Sequence, residues 1–139
     1  MSKPSIEGGL TAIAVSGLQA QKKRIQILAE NIANANSVAK TPGGEPYRRQ
    51  VPMFKVEPMG DDKGVALSGV KGDPKPFPQH YDPGHPAANT AGYVQLPNVN
   101  SLAESLDLKQ AMRAYEANLN VLDTQGAMEK STLSLLDGK

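Results

Sequence analysis

The distribution of proline divides the chain into three parts. Ten of its eleven prolines lie between Pro42 and Pro97, and only Pro4 lies outside that stretch. Proline inside a helix removes a hydrogen bond and collides with the preceding turn. Long helices are therefore confined to the flanks. We predict an N-terminal assembly helix within residues 1–36, a Pro/Gly-rich β insert with loops over 37–100, and a C-terminal assembly helix within 101–139.

The first flank, from about residue 5 to residue 36, carries a heptad pattern. Its seam positions recur at alternating spacings of four and three, which is the spacing of coiled-coil contacts. All seam residues except Gln21 are apolar. The seam consists of Ala14, Leu18, Gln21, Ile25, Leu28, Ile32 and Ala35.

The second flank, from residue 101 to about residue 136, carries a second heptad pattern. Ser101 and Glu104 match the S-x-x-E pattern of a capping box, which predicts a helix start. Only Gly126 and Glu129 interrupt the apolar character of the seam that follows. This seam consists of Leu108, Met112, Tyr115, Leu119, Leu122, Gly126, Glu129, Leu133 and Leu136.

The two flanks carry opposite charge, which favours their pairing. Residues 1–36 have a net charge of +2 and residues 101–139 a net charge of −2, although an exposed ion pair contributes only about 0.2 to 1 kcal/mol. The predicted fold is mainly α, with a coiled-coil-like pair of terminal helices and a small β insert between them. Such a pair leaves an apolar face uncovered, and we expect other subunits to bury it.

The middle of the chain favours short strands. Residues 47–56 and 65–70 are candidate strands, and the Asp-Asp-Lys-Gly segment at 61–64 predicts a turn between them. These segments together predict a β-hairpin. Residues 93–96 form a third candidate strand.

Composition excludes several kinds of chemistry. The chain has no cysteine, so disulfides, thiolate metal sites and thiol catalysis are absent. A net charge of +1 gives no indication of nucleic acid as a partner. No recognisable nucleophile, base and orienting group occur together. We therefore predict no catalytic residue, no cofactor and no small-molecule substrate.

The segment from residue 80 to residue 86 has two interpretations. A metal site could use His80, Asp82 and His85, because two histidines and a carboxylate are common ligands. The Tyr-Asp-Pro-Gly order is also a strong turn signature, and we prefer this interpretation, with no metal. The predicted structural turn consists of Tyr81, Asp82, Pro83, Gly84, His85 and Pro86.

Four motifs resemble the family of flagellar rod and hook proteins, and most closely its proximal-rod members. They are Asn-Ile-Ala-Asn-Ala-Asn at 31–36, Thr-Pro-Gly-Gly-Glu-Pro-Tyr-Arg-Arg at 41–49, Tyr-Asp-Pro-Gly-His-Pro at 81–86, and Arg-Ala-Tyr-Glu-Ala-Asn at 113–118. They occur in the order typical of the family and extend over nearly the whole chain.

The resemblance implies a structural subunit of the proximal rod. Such a subunit is part of the shaft that crosses the periplasm and transmits torque, and it is exported without a cleaved signal peptide. The implied partners are other copies, neighbouring rod proteins, the membrane ring and the export apparatus. The implied subunit-interface residues are Leu18, Ile25, Leu28, Asn31, Ile32, Asn34, Asn36, Arg48, Arg49, Met112, Tyr115, Asn118, Leu119, Leu122, Leu133 and Leu136.

Two alternatives remain at this point. One is another axial component of a flagellum or of a type III secretion system. The other is a small helical-hairpin binding module, which would be a stable monomer with no part in a filament.

Overall fold

Two long helices flank a β-containing insert. The computed structural model describes residues 6–138. Its elements are α1 (Ile6–Ala33), β1 (Gln50–Met59), β2 (Asp62–Gly72), β3 (Gln79–Tyr81), β4 (Tyr93–Gln95) and α2 (Ser101–Leu136). The predicted mainly α class with a small β insert is confirmed. The predicted start of the first helix at residue 5 lies outside the described residues.

The two helices pack against each other in antiparallel orientation within one subunit. Asn31 of α1 contacts Glu104 of α2. Two heptads away on both helices, Gly17 lies so close to Asn118 that a methyl group on Gly17 would be 2.8 Å from the Asn118 amide nitrogen. Because these two contacts share one register, the helix pair is a self-contained antiparallel coiled coil.

The seam of α2 that faces α1 differs from the predicted one. Ala111 and Gln125 are buried, whereas Met112 and Leu119 are exposed. At every second position the predicted seam named the next residue along the chain, with Met112 in place of Ala111 and Leu119 in place of Asn118. Ala111 is fully buried, and its small side chain lets the two helices approach closely at that position. The inner seam consists of Glu104, Leu108, Ala111, Tyr115, Asn118, Leu122 and Gln125.

The start of α2 also corrects a prediction. Asn100 is the N-cap residue, and its side-chain oxygen accepts hydrogen bonds from the backbone N–H groups of Leu102 and Ala103 at 3.1 and 3.2 Å. The predicted capping box of Ser101 and Glu104 is wrong, because the Glu104 side chain lies in the protein interior instead of returning to the backbone. The Asn100 side chain instead satisfies free backbone N–H groups in the first turn of α2, as a capping box would.

The strands β1 and β2 form an antiparallel hairpin that packs on α1. Their two-residue turn consists of Gly60, with φ of +65°, and Asp61. The turn thus begins one residue before the predicted 61–64 segment, because a left-handed first turn position favours glycine. The register shifts after Met53, leaving Ser68 as an extra residue whose hydroxyl donates to the Met53 carbonyl at 3.0 Å.

Both edges of the hairpin are protected. On β2, the backbone N–H of Val65 points outward and donates to the Ser16 hydroxyl of α1 at 3.3 Å. On β1, Pro52 and Pro58 cannot donate a backbone hydrogen bond, because proline has no N–H. Covered or proline-bearing edges discourage pairing with a strand of another chain.

The strands β3 and β4 form a second, smaller antiparallel sheet. The pairing of β3 was not predicted, because its three residues show no hydrophobic pattern. The rings of Tyr81 and Tyr93 meet edge to face with centroids 5.2 Å apart. Gly92 lies beneath them with φ of +87°, and a methyl group there would be 2.9 Å from the Tyr81 ring. Only glycine fits this position without strain.

We predict that Gly92→Ala destabilises the protein by about 1 to 3 kcal/mol, because it adds both backbone strain and a collision with Tyr81. The free energy of unfolding in denaturant measures the effect. The control is Gly69→Ala, since a methyl group at Gly69 meets nothing within 4 Å. Equal stability of the two variants would contradict the role assigned to Gly92.

Candidate functional site

The site is centred on the side chain of Asn31 in the last turn of α1. This side chain is fully buried, with 0% exposure. Its oxygen accepts hydrogen bonds from the Gln50 N–H at 2.9 Å and the Tyr47 hydroxyl at 2.8 Å. Its nitrogen donates to the Gln50 carbonyl at 2.8 Å and to Glu104 Oε2 at 3.1 Å. The Asn31 side-chain amide thus donates two hydrogen bonds and accepts two, which is its full capacity.

Glu104 extends these contacts to α2. Its side chain is 2% exposed, and its second oxygen accepts a hydrogen bond from Arg49 Nε. Arg49 Nη1 in turn forms an ion pair with Asp73 Oδ2 at 3.1 Å. The guanidinium of Arg49 therefore lies between two carboxylates. A buried charge is tolerated only with such partners.

Asp73 and Asn98 complete the arrangement. The N–H of Lys75 donates to Asp73 Oδ1 at 2.9 Å, and the Asp73 N–H donates to the Arg49 carbonyl at 2.8 Å. The Asn98 side chain accepts from the Arg49 N–H at 2.7 Å and donates to the carbonyls of Asp73 and Lys75 at 3.1 and 3.0 Å. We refer to this set as the polar network; it consists of Asn31, Tyr47, Arg49, Asp73, Asn98 and Glu104.

The electrostatics of the network follow from these contacts. The hydrogen bond from the Lys75 backbone, followed by the charge and hydrogen bond of Arg49, lowers the pKa of Asp73 below its ordinary value near 3.8. Burial works against the charge of Arg49, but Glu104 and then Asp73 outweigh it and raise the Arg49 pKa. Burial, with the charges of Glu30 and Glu104, raises the pKa of Tyr47.

The asparagines of the 31–36 motif have different environments. The Asn31 side chain is buried and fully hydrogen-bonded within its own subunit, and its predicted contact with another subunit stays a prediction. Asn34 closes the end of α1, donating to the Glu30 carbonyl at 2.9 Å and accepting from the Ser37 hydroxyl at 3.0 Å. Asn36 is exposed. Its contact with a neighbour stays a prediction.

The side chains of the two adjacent arginines, Arg48 and Arg49, lie in different environments. Arg49 belongs to the polar network, and its charge is neutralised within the subunit; its predicted contact with another subunit stays a prediction. Arg48 lies over the Phe77 ring, with its guanidinium carbon 4.2 Å from the centroid, and donates to the Asp73 carbonyl at 2.7 Å. Both contacts hold Arg48 against the insert.

The predicted apolar interface residues of the two helices, together with Tyr115 and Asn118, divide into three groups by burial. Leu28 is buried within the subunit, and its predicted contact with another subunit stays a prediction. Leu18, Ile25, Ile32, Tyr115, Asn118 and Leu122 are half-buried at the helix pair. The remaining four are exposed and available to a neighbour: Met112, Leu119, Leu133 and Leu136.

The 81–86 segment forms a turn in which the His85 N–H donates to the Asp82 carbonyl at 3.1 Å. The His85 ring nitrogen Nδ1 accepts from the Ala87 N–H at 3.0 Å, which fixes the ring against its own backbone. Over residues 6–138, His, Asp and Glu side chains form no group of three or more arranged to hold a metal ion.

Sequence reasoning missed four members of the polar network: Tyr47, Asp73, Asn98 and Glu104. The sequence does contain a signal for Glu104, because it lies four residues before Leu108 and so continues the heptad pattern of the α2 seam. A carboxylate at a seam position indicates a buried partner. Asp73 and Asn98 lie in loops, and no periodicity marks them.

Neither helix, over the residues that the structure describes, is long and apolar enough to cross a membrane.

Comparison with known proteins places the chain among flagellar proteins. A family model described as flagella basal body rod protein matches residues 12–39, and one described as flagellar basal body rod FlgEFG protein C-terminal matches residues 90–135. A relative from Agrobacterium fabrum, named flagellar basal-body rod protein FlgC, is 46% identical over 127 residues, covering 89% of this chain and 91% of the relative. The chain belongs to the FlgC family of flagellar basal-body rod proteins.

Other FlgC proteins show similar likeness. The Salmonella typhimurium FlgC is 41% identical, with 88% of this chain and 92% of the relative covered. The FlgC of Borreliella burgdorferi is 37% identical, with 91% and 95% covered. The resemblance seen in the sequence motifs is thus confirmed. In this FlgC-family chain, the polar network joins the two segments that the family models match, through Asn31 in the first and Asn98 and Glu104 in the second.

We predict that Asn31→Ala destabilises the chain by about 3 to 5 kcal/mol, because it removes the side chain that hydrogen-bonds the Gln50 backbone, the Tyr47 hydroxyl and the buried Glu104 Oε2. Denaturant unfolding measures this loss. The matched control is Asn34→Ala in the same helix end, for which we expect about 1 kcal/mol. A loss for Asn31→Ala no larger than for Asn34→Ala would contradict the central place of Asn31.

A second prediction concerns acid. Because the pKa of Asp73 is lowered in the folded state, the unfolded state binds the proton first as the pH falls. The stability from Asp73 is thus complete above its ordinary value near 3.8 and is lost as the pH falls through the folded value. We expect Asp73→Asn to reduce stability at pH 7 and to weaken the further loss as the pH falls below the ordinary value near 3.8. Parallel curves of unfolding free energy against pH would disprove this.

Proposed function

We propose that this chain is a structural subunit of the flagellar proximal rod, the part of the drive shaft that crosses the periplasm and transmits torque for motility. Membership in the FlgC family carries this proposal, since relatives named as basal-body rod proteins match about nine-tenths of both chains. The role is mechanical and not enzymatic, and no cofactor or nucleic acid takes part.

The polar network supports a load-transmitting role. It connects the end of α1, the start of β1 and the first turn of α2 through hydrogen bonds that are all made inside the subunit. Because a buried polar group without a partner is costly, these three segments move as one piece. Force applied to either helix therefore reaches the insert without reordering the subunit.

The exposed apolar residues of α2 support assembly with other subunits. Leu133 and Leu136 are 62% and 78% exposed near the end of the helix. Large exposed apolar side chains mark interaction surfaces.

In the proposed assembly, residues 1–36 and 101–139 are the assembly helices, and residues 37–100 form an insert that contacts neighbours around the rod. The partners are copies of this chain and adjacent rod proteins, with the membrane ring and export apparatus at the base. Export proceeds without a cleaved signal peptide.

The test is complementation of a flagellated strain that lacks its own copy of this chain. Leu133→Glu places a charge on the assembly surface, and we expect loss of swimming in soft agar and loss of the chain from purified basal bodies. The purified variant should keep the helix content and unfolding free energy of the unmodified chain, because the Leu133 side chain is largely exposed.

The matched control is Lys130→Glu, a change of charge at an exposed position three residues away, which should swim normally. Normal swimming of Leu133→Glu, or failure of the unmodified chain to enter basal bodies, would contradict the proposed function.

A further inference from the structure

One face of the small β3–β4 sheet carries two tyrosines and two glutamines. Tyr81 lies directly opposite Tyr93, and Gln79 lies directly opposite Gln95. Residues that are opposite each other in an antiparallel pair, or two apart along one strand, have their side chains on the same side of the sheet. These four side chains therefore share one surface, which we call the tyrosine–glutamine face. None of the four is charged.

The tyrosine–glutamine face is open to solvent. Tyr81 is 62% exposed and Tyr93 is 40% exposed, while Gln79 is exposed and Gln95 is half-buried. Over residues 6–138, neither glutamine amide and neither of these two tyrosine hydroxyls takes part in a hydrogen bond. Each amide keeps two N–H donors and a carbonyl acceptor. The face thus has neutral donors and acceptors free for a ligand.

The two tyrosine rings leave an aromatic surface available for stacking. Their planes are inclined at 63° and the rings meet edge to face, so the ring that presents its edge has neither of its own faces covered by the other ring. Gly92 lies against Tyr81, where even a methyl group would come within 2.9 Å, and this close approach holds the Tyr81 ring in place. The face of an aromatic ring is electron-rich and attracts groups with a partial positive charge.

The chemistry of this face matches a sugar. A sugar ring has a side of C–H groups, which stacks on an aromatic ring, and a rim of hydroxyl groups, which needs neutral donors and acceptors beside it. Stacking surface and free amides lie next to each other here. A ligand that carries phosphate groups would instead require basic side chains, and the face has none.

The size of the face favours a glycan over a protein. Each of its strands has three residues, so the face is only about 10 Å long. A stable protein interface needs about 800 Å² from each partner, several times more than two strands of this length supply. A strand of sugar rings needs no more than a narrow track.

We propose that the tyrosine–glutamine face binds a neutral glycan strand. A sugar ring stacks on Tyr81, which Tyr93 supports from the side, and the sugar hydroxyls form hydrogen bonds with Gln79 and Gln95. The source of the glycan rests on the proposed function, because a shaft that crosses the periplasm passes the cell wall, whose strands are polymers of sugars. Binding itself is a property of the isolated chain.

Sedimentation of the purified chain with isolated cell-wall sacculi tests the proposal, with the neutral oligosaccharide chitotetraose as competitor. We expect saturable binding that chitotetraose reverses. Binding should persist in high salt, because screening weakens only interactions between charges. Tyr81→Ala should weaken binding about tenfold, through loss of the stacking contact.

A second variant separates binding from folding, because Tyr81 also packs against Tyr93. The double variant Gln79→Ala/Gln95→Ala removes two amides that form no hydrogen bond over residues 6–138. We expect it to lower the affinity and to leave the unfolding free energy unchanged. The matched control is Phe54→Ala, which removes an aromatic ring that is 37% exposed on β1 and should bind sacculi like the unmodified chain.

Three results would overturn the proposal. The first is no sedimentation with sacculi, or sedimentation that neither the Tyr81 variant nor the double glutamine variant weakens. The second is release by free cell-wall peptides and not by chitotetraose, which would identify the ligand as a peptide. The third is loss of binding in high salt, which would identify charge attraction as its cause.

The glycan site and the proposed function fail separately. If the unmodified chain is found in basal bodies but does not bind sacculi or chitotetraose, only the glycan site fails. If the purified chain binds both but is missing from basal bodies, the proposed function fails and the glycan site stands.

Discussion

The four hydrogen bonds of the Asn31 side chain are the interaction on which the rest of the structure depends. They tie α1 to the start of β1 and, through Glu104, to α2. Glu104 then requires Arg49, because a buried charge needs a partner, and Arg49 pairs in turn with Asp73. The network is thus satisfied as a whole, and loss of one member leaves several groups unpaired in a medium of low dielectric constant.

The network also determines how the helices align. The inner seam contains Glu104, Asn118 and Gln125 among its apolar residues, so apolar contact alone would tolerate a shift by one heptad. The match of Asn31 with Glu104 is made in only one register. A polar pair at a coiled-coil seam is a known means of fixing register.

The subunit keeps little apolar surface for its own core. Within residues 6–138, four of the seven buried apolar residues are alanines, while Met128, Leu133, Leu135 and Leu136 of α2 are exposed. Burial of a large aliphatic side chain contributes about 1.5 to 3 kcal/mol. Much of the available hydrophobic stabilisation is therefore left for contacts between subunits, which agrees with a chain that acts within an assembly.

The sequence by itself determined the fold class and the family. Proline placement confined long helices to the flanks, and the motifs near residues 31–49 and 81–118 indicated a rod protein. Only the tertiary structure decided which face of each helix points inward and which groups the Glu104 side chain contacts. Heptad periodicity specifies a set of faces but not the partner of each, and the capping pattern of Ser101 and Glu104 was locally sound. Asn31 and Arg49 decide the position of the Glu104 side chain. Both lie far from Glu104 along the chain, so their contacts with it exist only after folding.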